Sequence, residues 1–282
     1  MFKVLSPGIW SAFQDQGRFG FRHLGVPVCG SLDEYSANKA NFLAGNPLGS
    51  TVIECTIRGP VMECIYPAEV VISGVGFNPT INQVPACADK IYKLRCGDVL
   101  DVGSSKTGMR SYIAAKGGFN TEKILGSSSY DSIIAPTMKL VKDLIIETCQ
   151  FKSEKSIEAH QLGDEINFDL QTISVIPGSE FNLLKAFEIK ELLNHPWTID
   201  PSSSRMAILL KENFVVDKAQ IISAAVYPGC VQLTPSGKLI LLMKDAQTTG
   251  GYARILQISP TGMNILSQKV PGSQIFFKME KK

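Results

Sequence analysis

Apolar residues along this chain fall in short runs punctuated by glycine, proline and serine. VVISGVG (70–76), DVLDVG (98–103), RSYIAAKGG (110–118), ISVIPG (173–178), LILLM (239–243), YARILQIS (252–259) and QIFFKM (274–279) are of this kind. Runs of this length, rich in β-branched residues and bounded by turn formers, predict strands. Long helical periodicity is scarce, so the pattern predicts an all-β or β-dominated fold.

Three segments depart from it. SLDEYSANKANFLAGNP (31–47) predicts a helix opened by a capping box, Ser31 accepting from the amide of Glu34 and Glu34 reaching back to that of Ser31. Gly45-Asn46-Pro47 supplies its stop. FNLLKAFEIKELLN (181–194) sets Leu184, Phe187, Glu188 and Glu191 at helical spacing and ends before Pro196. SPTGMNILSQ (259–268) predicts a short third helix. Such helices can plug a barrel end but cannot build a bundle.

The chain has 282 residues, about twice the usual domain size. The polar stretch FKSEKSIEAHQLGDE (151–165) reads as a long loop, and composition is similar on either side of it. Two domains of one architecture are therefore expected, 1–170 and 171–282. VLSPG (4–8) echoes VIPG (175–178), and a strand followed by Gly-Gly occurs at both 110–118 and 239–251.

Apolar residues make up 44% and charged residues 19%, enough for a sizeable core and against disorder. A net charge of +2 gives no global field for nucleic acid, membranes or polyanions. The apolar strip 239–243 is far short of the ~20 residues of a membrane-spanning helix, and MFKVLSPGIW lacks the features of a signal peptide. A soluble, cytoplasmic protein is expected. Cys29, Cys55, Cys64, Cys87, Cys96, Cys149 and Cys230 form no CxxC pair, and His23, His160 and His195 are far apart. Buried, reduced thiols and no structural metal are expected.

No GxxxxGK[ST] phosphate loop is present, and SGVGFNP (73–79) lacks the third glycine of a dinucleotide site. No G-x-S-x-G elbow occurs. LGSSSYD (125–131) reads as a hydrogen-bonded serine turn or a passive ligand-contacting loop rather than a nucleophile. Met138-Lys139-Leu140 and Met243-Lys244 read as ordinary strand lysines. AFQDQGRFGFRHLGVPVCGSLDEYS (12–36) mixes Asp15, Arg18, Arg22 and Asp33 with glycines, which suits either an internal ion-pair scaffold or a rim that binds a carboxylate or a partner protein. LLMKDAQTTGGYARI (241–255) runs an apolar strand into Asp245, Gln247, Thr248 and Thr249, then Gly250-Gly251-Tyr252. Its amide and hydroxyl groups suit a neutral amide or a carboxylate ligand better than a phosphate chain, and an unusually polar hairpin is the bland alternative.

QDQGRFGFRHLGVPVCGSLDEYSANKANFLAGNP (14–47) resembles the opening signature of the biotin-dependent carboxyltransferase-like family. That family includes the C component of 5-oxoprolinase, the second component of allophanate hydrolase and the carboxyltransferase domain of urea amidolyase. GMRSYIAAKGGF (108–119), LGSSSYD (125–131), VIPGSEF (175–181), PWTIDPSSSRM (196–206), YPGCVQL (227–233) and KDAQTTGGYARI (244–255) match in family order over nearly the whole chain. The resemblance implies two cyclophilin-like β-barrels with short helices.

It also implies the C component of an ATP-dependent 5-oxoprolinase, which acts with the B and A components to open 5-oxoproline to glutamate and is inactive alone. ATP would arrive with Mg²⁺. Arg110, Ser128, Gln247, Thr248, Thr249, Gly250, Gly251 and Tyr252 are the expected ligand contacts, with Asp15, Arg18, Arg22, Asp33, Arg205 and Asp245 as frame or rim. One alternative is the carboxyltransferase of a urea or allophanate system, with biotin on a partner. Another is a non-catalytic regulator that binds a histidine-kinase inhibitor protein. Ser204-Arg205-Met206-Ala207 leading to Leu209, Ala253 after Gly-Gly-Tyr, and Ser129-Tyr130 depart from the usual family pattern.

Overall fold

The computed structural model describes residues 1–149, 163–216 and 220–280. Most of the polar loop expected at 151–165 lies outside them. The chain divides into two compact units, one of residues 1–18 and 29–165, the other of residues 19–28 and 166–282. Both are built of strands, as the short apolar runs require, and among the described residues three short α-helices accompany them.

The first unit contains β1 (Phe2–Ser6), β2 (Trp10–Gln14), α1 (Glu34–Ala44), β3 (Val52–Thr56), β4 (Val61–Cys64), β5 (Ala68–Gly74), β6 (Thr80–Ile81), β7 (Val84–Pro85), β8 (Ile91–Leu94), β9 (Val99–Asp101), β10 (Arg110–Ala115) and β11 (Ile145–Ile146). They form two sheets, ordered β11-β1-β4-β9-β6-β7 and β2-β3-β10-β5-β8. Strand alternation explains how both faces of the second sheet are used. Ile53, Cys55, Ile72 and Ile113 point into one core with Phe2, Val4, Met62 and Leu100 of the first sheet. Their neighbours Val52, Val71, Tyr112 and Ala114 point the other way, onto Ala37, Ala40 and Ala44 of α1. Every residue of β10 is buried for this reason.

Helix α1 is capped differently from the expectation. Asp33 is its N-cap, accepting from Ser36 N at 3.0 Å. The Ser31 amide instead donates to the Asp15 carbonyl at 3.0 Å, so no capping box can form there. The stop is as read: Gly45 adopts φ 74° and donates to the last-turn carbonyls.

The second unit contains β12 (Thr172–Pro177), α2 (Ala186–Asn194), β13 (Trp197–Thr198), β14 (Ala207–Asn213), β15 (Gln220–Ala225), β16 (Cys230–Leu233), β17 (Lys238–Leu242), β18 (Thr249–Ile258), α3 (Pro260–Ser267) and β19 (Gln274–Met279). Its main sheet runs β13-β19-β12-β18-β16-β17-β14, and β15 pairs with β18 off that path. A bridge between Ile199 and Leu210, with Asp200 N donating to Leu209 O at 2.8 Å, joins the two ends. The sheet is thus nearly a closed barrel. Trp197 fills it, edge-on to Phe214 at 6.0 Å, with its indole N–H donating to Leu192 O at the end of α2.

The cysteines correct the expectation of burial in part. Cys29, Cys55, Cys64 and Cys230 are buried, but Cys87 and Cys96 are exposed. Among the described residues no helix is long and apolar enough to cross a membrane.

Candidate functional site

The polar segment that follows β17 is framed from three sides within the second unit. On the first side, Arg205 grips Asp245 through Nε to Oδ2 at 2.8 Å and Nη2 to Oδ1 at 2.9 Å, while the Asp245 amide donates to the Arg205 carbonyl at 3.1 Å. Both side chains are mostly buried, which makes this bidentate pair a real constraint rather than a solvated one.

On the second side, Arg22 belongs to the segment 19–28. Its Nη2 donates to the Val226 carbonyl and, at 3.4 Å, to that of Thr248, and its guanidinium lies 4.6 Å from the centre of the Tyr227 ring. A short 3₁₀ turn at Arg22–Leu24, closed by left-handed Gly25, presents it.

The third side is β18 itself. Arg254 forms a fork with Glu180, Nε to Oε2 at 2.8 Å and Nη2 to Oε1 at 2.6 Å, and donates from Nη1 to Ala225 O at 2.9 Å. That guanidinium holds the Glu180 carboxyl below the usual glutamate range, against the opposing effect of burial. Gly178 allows the preceding turn to press on the Arg254 backbone, where any Cβ would strike its carbonyl.

Inside this frame Gln247, Thr249 and Tyr252 are exposed, and Thr248, Gly250 and Gly251 are half-buried. Gly250-Gly251 do not make the polar hairpin turn that was the bland alternative for this segment. They lie instead at the start of β18, where Gly250 pairs with Ala224 of β15, and neither uses left-handed backbone. Gly250 is needed for close approach: a Cβ there would lie 2.6 Å from Nε2 of Gln232, a buried side chain that donates to Tyr252 O at 3.4 Å. A Cβ on Gly251 would meet only the Ile221 carbonyl, at an ordinary contact distance of 3.8 Å.

The other singled-out residues lie in the first unit. Asp15 organises the serine turn: its carboxylate accepts from the hydroxyls of Ser127 and Ser129 at 2.6 Å each, from Ser128 N at 2.7 Å and from Gly17 N at 2.8 Å. Ser128 is fully buried, and its hydroxyl accepts from Thr121 Oγ1 at 2.8 Å. Arg18 is equally buried and donates to the carbonyls of Ile124 and Ser129. Arg110 is 7% exposed and lies 3.7 Å from Glu54. Glu54 accepts from Leu32 N and the Tyr112 hydroxyl, both at 2.9 Å, and that hydroxyl accepts from Asp33 N at 2.8 Å. Burial, then the carboxylates of Glu54 and Asp33, push the Tyr112 pKa well above its ordinary value, so Tyr112 stays a neutral donor.

Sequence reasoning missed Glu54, Glu180 and Gln232. A lone carboxylate inside the apolar run VIECT (52–56) was the one visible signal for Glu54. Among the described residues no group of three or more His, Cys, Asp or Glu could hold a metal ion.

A nearly closed β-barrel with a framed polar strand edge, joined in one chain to a two-sheet β unit, defines the class. The carboxyltransferase domain, subdomain A and B, matches residues 24–279, and the chain belongs to that family. It is 29% identical to the C component of 5-oxoprolinase from Haemophilus influenzae, over 99% of this chain and 91% of that one. The protein of the same name from Escherichia coli is also 29% identical, over 98% and 90%. Urea amidolyase of Lachancea kluyveri is 36% identical over 129 residues, 45% of this chain and 7% of that protein. Among solved structures, TTHA0988 superposes with TM-score 0.87 at 26% identity, over 98% of this chain, which spans 55% of that one. Kluyveromyces lactis urea carboxylase shares the fold, with TM-score 0.86 at 22% identity, over 98% of this chain and 27% of that one.

Proposed function

We propose that this chain is the C component of an ATP-dependent 5-oxoprolinase, working with the B and A components in the opening of 5-oxoproline to glutamate. The observation that carries the reading is similarity along nearly the full length of two proteins bearing that name. A urea or allophanate carboxyltransferase is the second reading, favoured by the urea amidolyase match, but that match extends over less than half of the chain.

The chemistry fits the residues at the framed edge. A lactam carbonyl is a poor electrophile; transfer of the γ-phosphoryl group from ATP to its oxygen, with release of ADP, makes a species to which water adds at carbon, breaking the C–N bond and releasing phosphate. Gln247 offers a donor and an acceptor to the lactam amide, and Thr248 and Thr249 offer hydroxyls. Fixing these groups before the reaction is what makes them useful where charge develops. Mg²⁺ would come with the nucleotide rather than reside in the chain.

The test is an assay of glutamate released from 5-oxoproline by the reconstituted complex, with ATP and with each component omitted in turn. Release that needs ATP and this chain supports the proposal. Turnover of equal rate without this chain, or by this chain alone, contradicts it.

A further inference from the structure

The arginines that frame residues 245–252 are not alike. Arg205 is neutralised by Asp245 and Arg254 by Glu180, each through a two-bond fork. Arg22 has no ion-pair partner among the described residues. Its Nη2 is spent on the carbonyls of Val226 and Thr248, and the Tyr227 ring lies 4.6 Å from the guanidinium. Its Nη1 is buried and meets no acceptor among the described residues.

Carbonyl dipoles do not compensate a partly buried cation as an anion does, and a buried donor left unpaired costs free energy that an entering acceptor recovers. A guanidinium matches the planar geometry of a carboxylate through two parallel N–H groups. The bond to the Thr248 carbonyl sets this cation beside Gln247, whose exposed side chain offers a donor and an acceptor. Tyr227 is 55% exposed, and an exposed ring changes rotamer within nanoseconds, so it can yield to a ligand.

We propose that Arg22 holds the carboxylate of the substrate and thereby makes the site prefer an acidic lactam to a neutral amide. The assignment rests on the reading of 245–252 as the lactam site. It also divides the two chemistries considered for the chain, because 5-oxoproline is an anion at neutral pH whereas urea and the ureido ring of biotin are uncharged.

The test compares 5-oxoproline with 2-pyrrolidinone, the same ring without its carboxylate, in reconstituted complexes carrying the wild-type chain, Arg22→Lys or Arg22→Gln. The ratio of kcat/KM for the two lactams is expected to fall roughly 10- to 100-fold in Arg22→Gln and less in Arg22→Lys, which keeps the charge but not the fork. Arg22 also ties Val226 to Thr248, and a merely structural role would slow both lactams alike. An unchanged ratio therefore overturns the proposal. Saturation-transfer NMR on the same complexes, with melting temperature and assembly checked, reads binding without turnover. 5-Oxoproline should bind the wild type and lose affinity in Arg22→Gln. If the wild type binds it in this Arg22-dependent way but releases no glutamate, the oxoprolinase reading falls and the Arg22 assignment stands. If Arg22→Gln binds it as the wild type does, or the wild type does not bind it, the Arg22 assignment falls.

Discussion

Arg205 and Asp245, forty residues apart in sequence, meet in a two-bond fork of 2.8 and 2.9 Å that ties the end of β17 to the segment before β14. The fork fixes where the next residues, Gln247 to Tyr252, begin. Losing either partner leaves a mostly buried charge with its hydrogen bonds broken, which costs roughly 2–3 kcal/mol. Arg205→Met and Asp245→Asn are each expected to lower unfolding free energy by about that amount, and the double variant to lose little more than either single. Additive losses in a double-mutant cycle would show that the fork is not the coupling.

The glycines of β18 make a contrast that a polar hairpin turn would not. Gly250→Ala must displace Gln232 and should destabilise by about 1–2 kcal/mol. Gly251→Ala makes only an ordinary 3.8 Å contact with the Ile221 carbonyl and should be neutral or slightly stabilising through its effect on the unfolded chain. Chemical denaturation of the two variants separates them, and equal effects would contradict the packing described for Gly250.

Much of this architecture was legible in the sequence, and the rest was not for a physical reason. QIFFKM announces itself because its burial alternates along the strand, VVISGVG because a continuous apolar run serves a sheet covered on both faces, and the α1 stop is written in Gly45. That Gly250-Gly251 belong to a strand could not be read locally, because their strand state comes from pairing with β15, a long-range choice that leaves no local mark. The α1 cap was misplaced because the Ser31 amide is taken by Asp15, sixteen residues upstream. Asp245, Arg205 and Arg22 were named as frame or rim, but Glu180 was not, and which of them meet depends on contacts between residues far apart in sequence. The polar character of 245–252 and part of its frame were visible; how the frame closes on it was not.

The Glu180–Arg254 fork gives a pH signature. The carboxyl is held below its unfolded value, so its contribution is fully present above the unfolded glutamate pKa of ~4.3 and is lost as pH falls through the folded value. The stability gap between wild type and Glu180→Gln should be constant near neutrality and close progressively below about pH 4.3. Melting curves from acid to neutral pH measure it. A gap that does not change with acidification would show that the charge of Glu180 is immaterial.

The thiols should divide by burial. Burial pushes Cys55 up to about 12 and Cys230 up to about 11, so both remain protonated and shielded under native conditions. A thiol-reactive probe is expected to label Cys87 and Cys96 first, with Cys55 and Cys230 modified only on unfolding. Early labelling of Cys55, mapped by peptide mass, would contradict the core described for the first unit.

The most direct test is Gln247→Ala, read for stability and activity on the same preparations. Gln247 is exposed on a segment anchored through its neighbours, so the variant should keep the wild-type melting temperature and still assemble with its partners. Removing one hydrogen bond to the ligand costs ~1 kcal/mol, rising toward ~3 where a buried or charged group is left unpaired. ATP-dependent glutamate formation by the reconstituted complex should therefore fall roughly 5- to 100-fold. Wild-type activity from a correctly folded and assembled Gln247→Ala complex would contradict the assignment of this strand edge as the site.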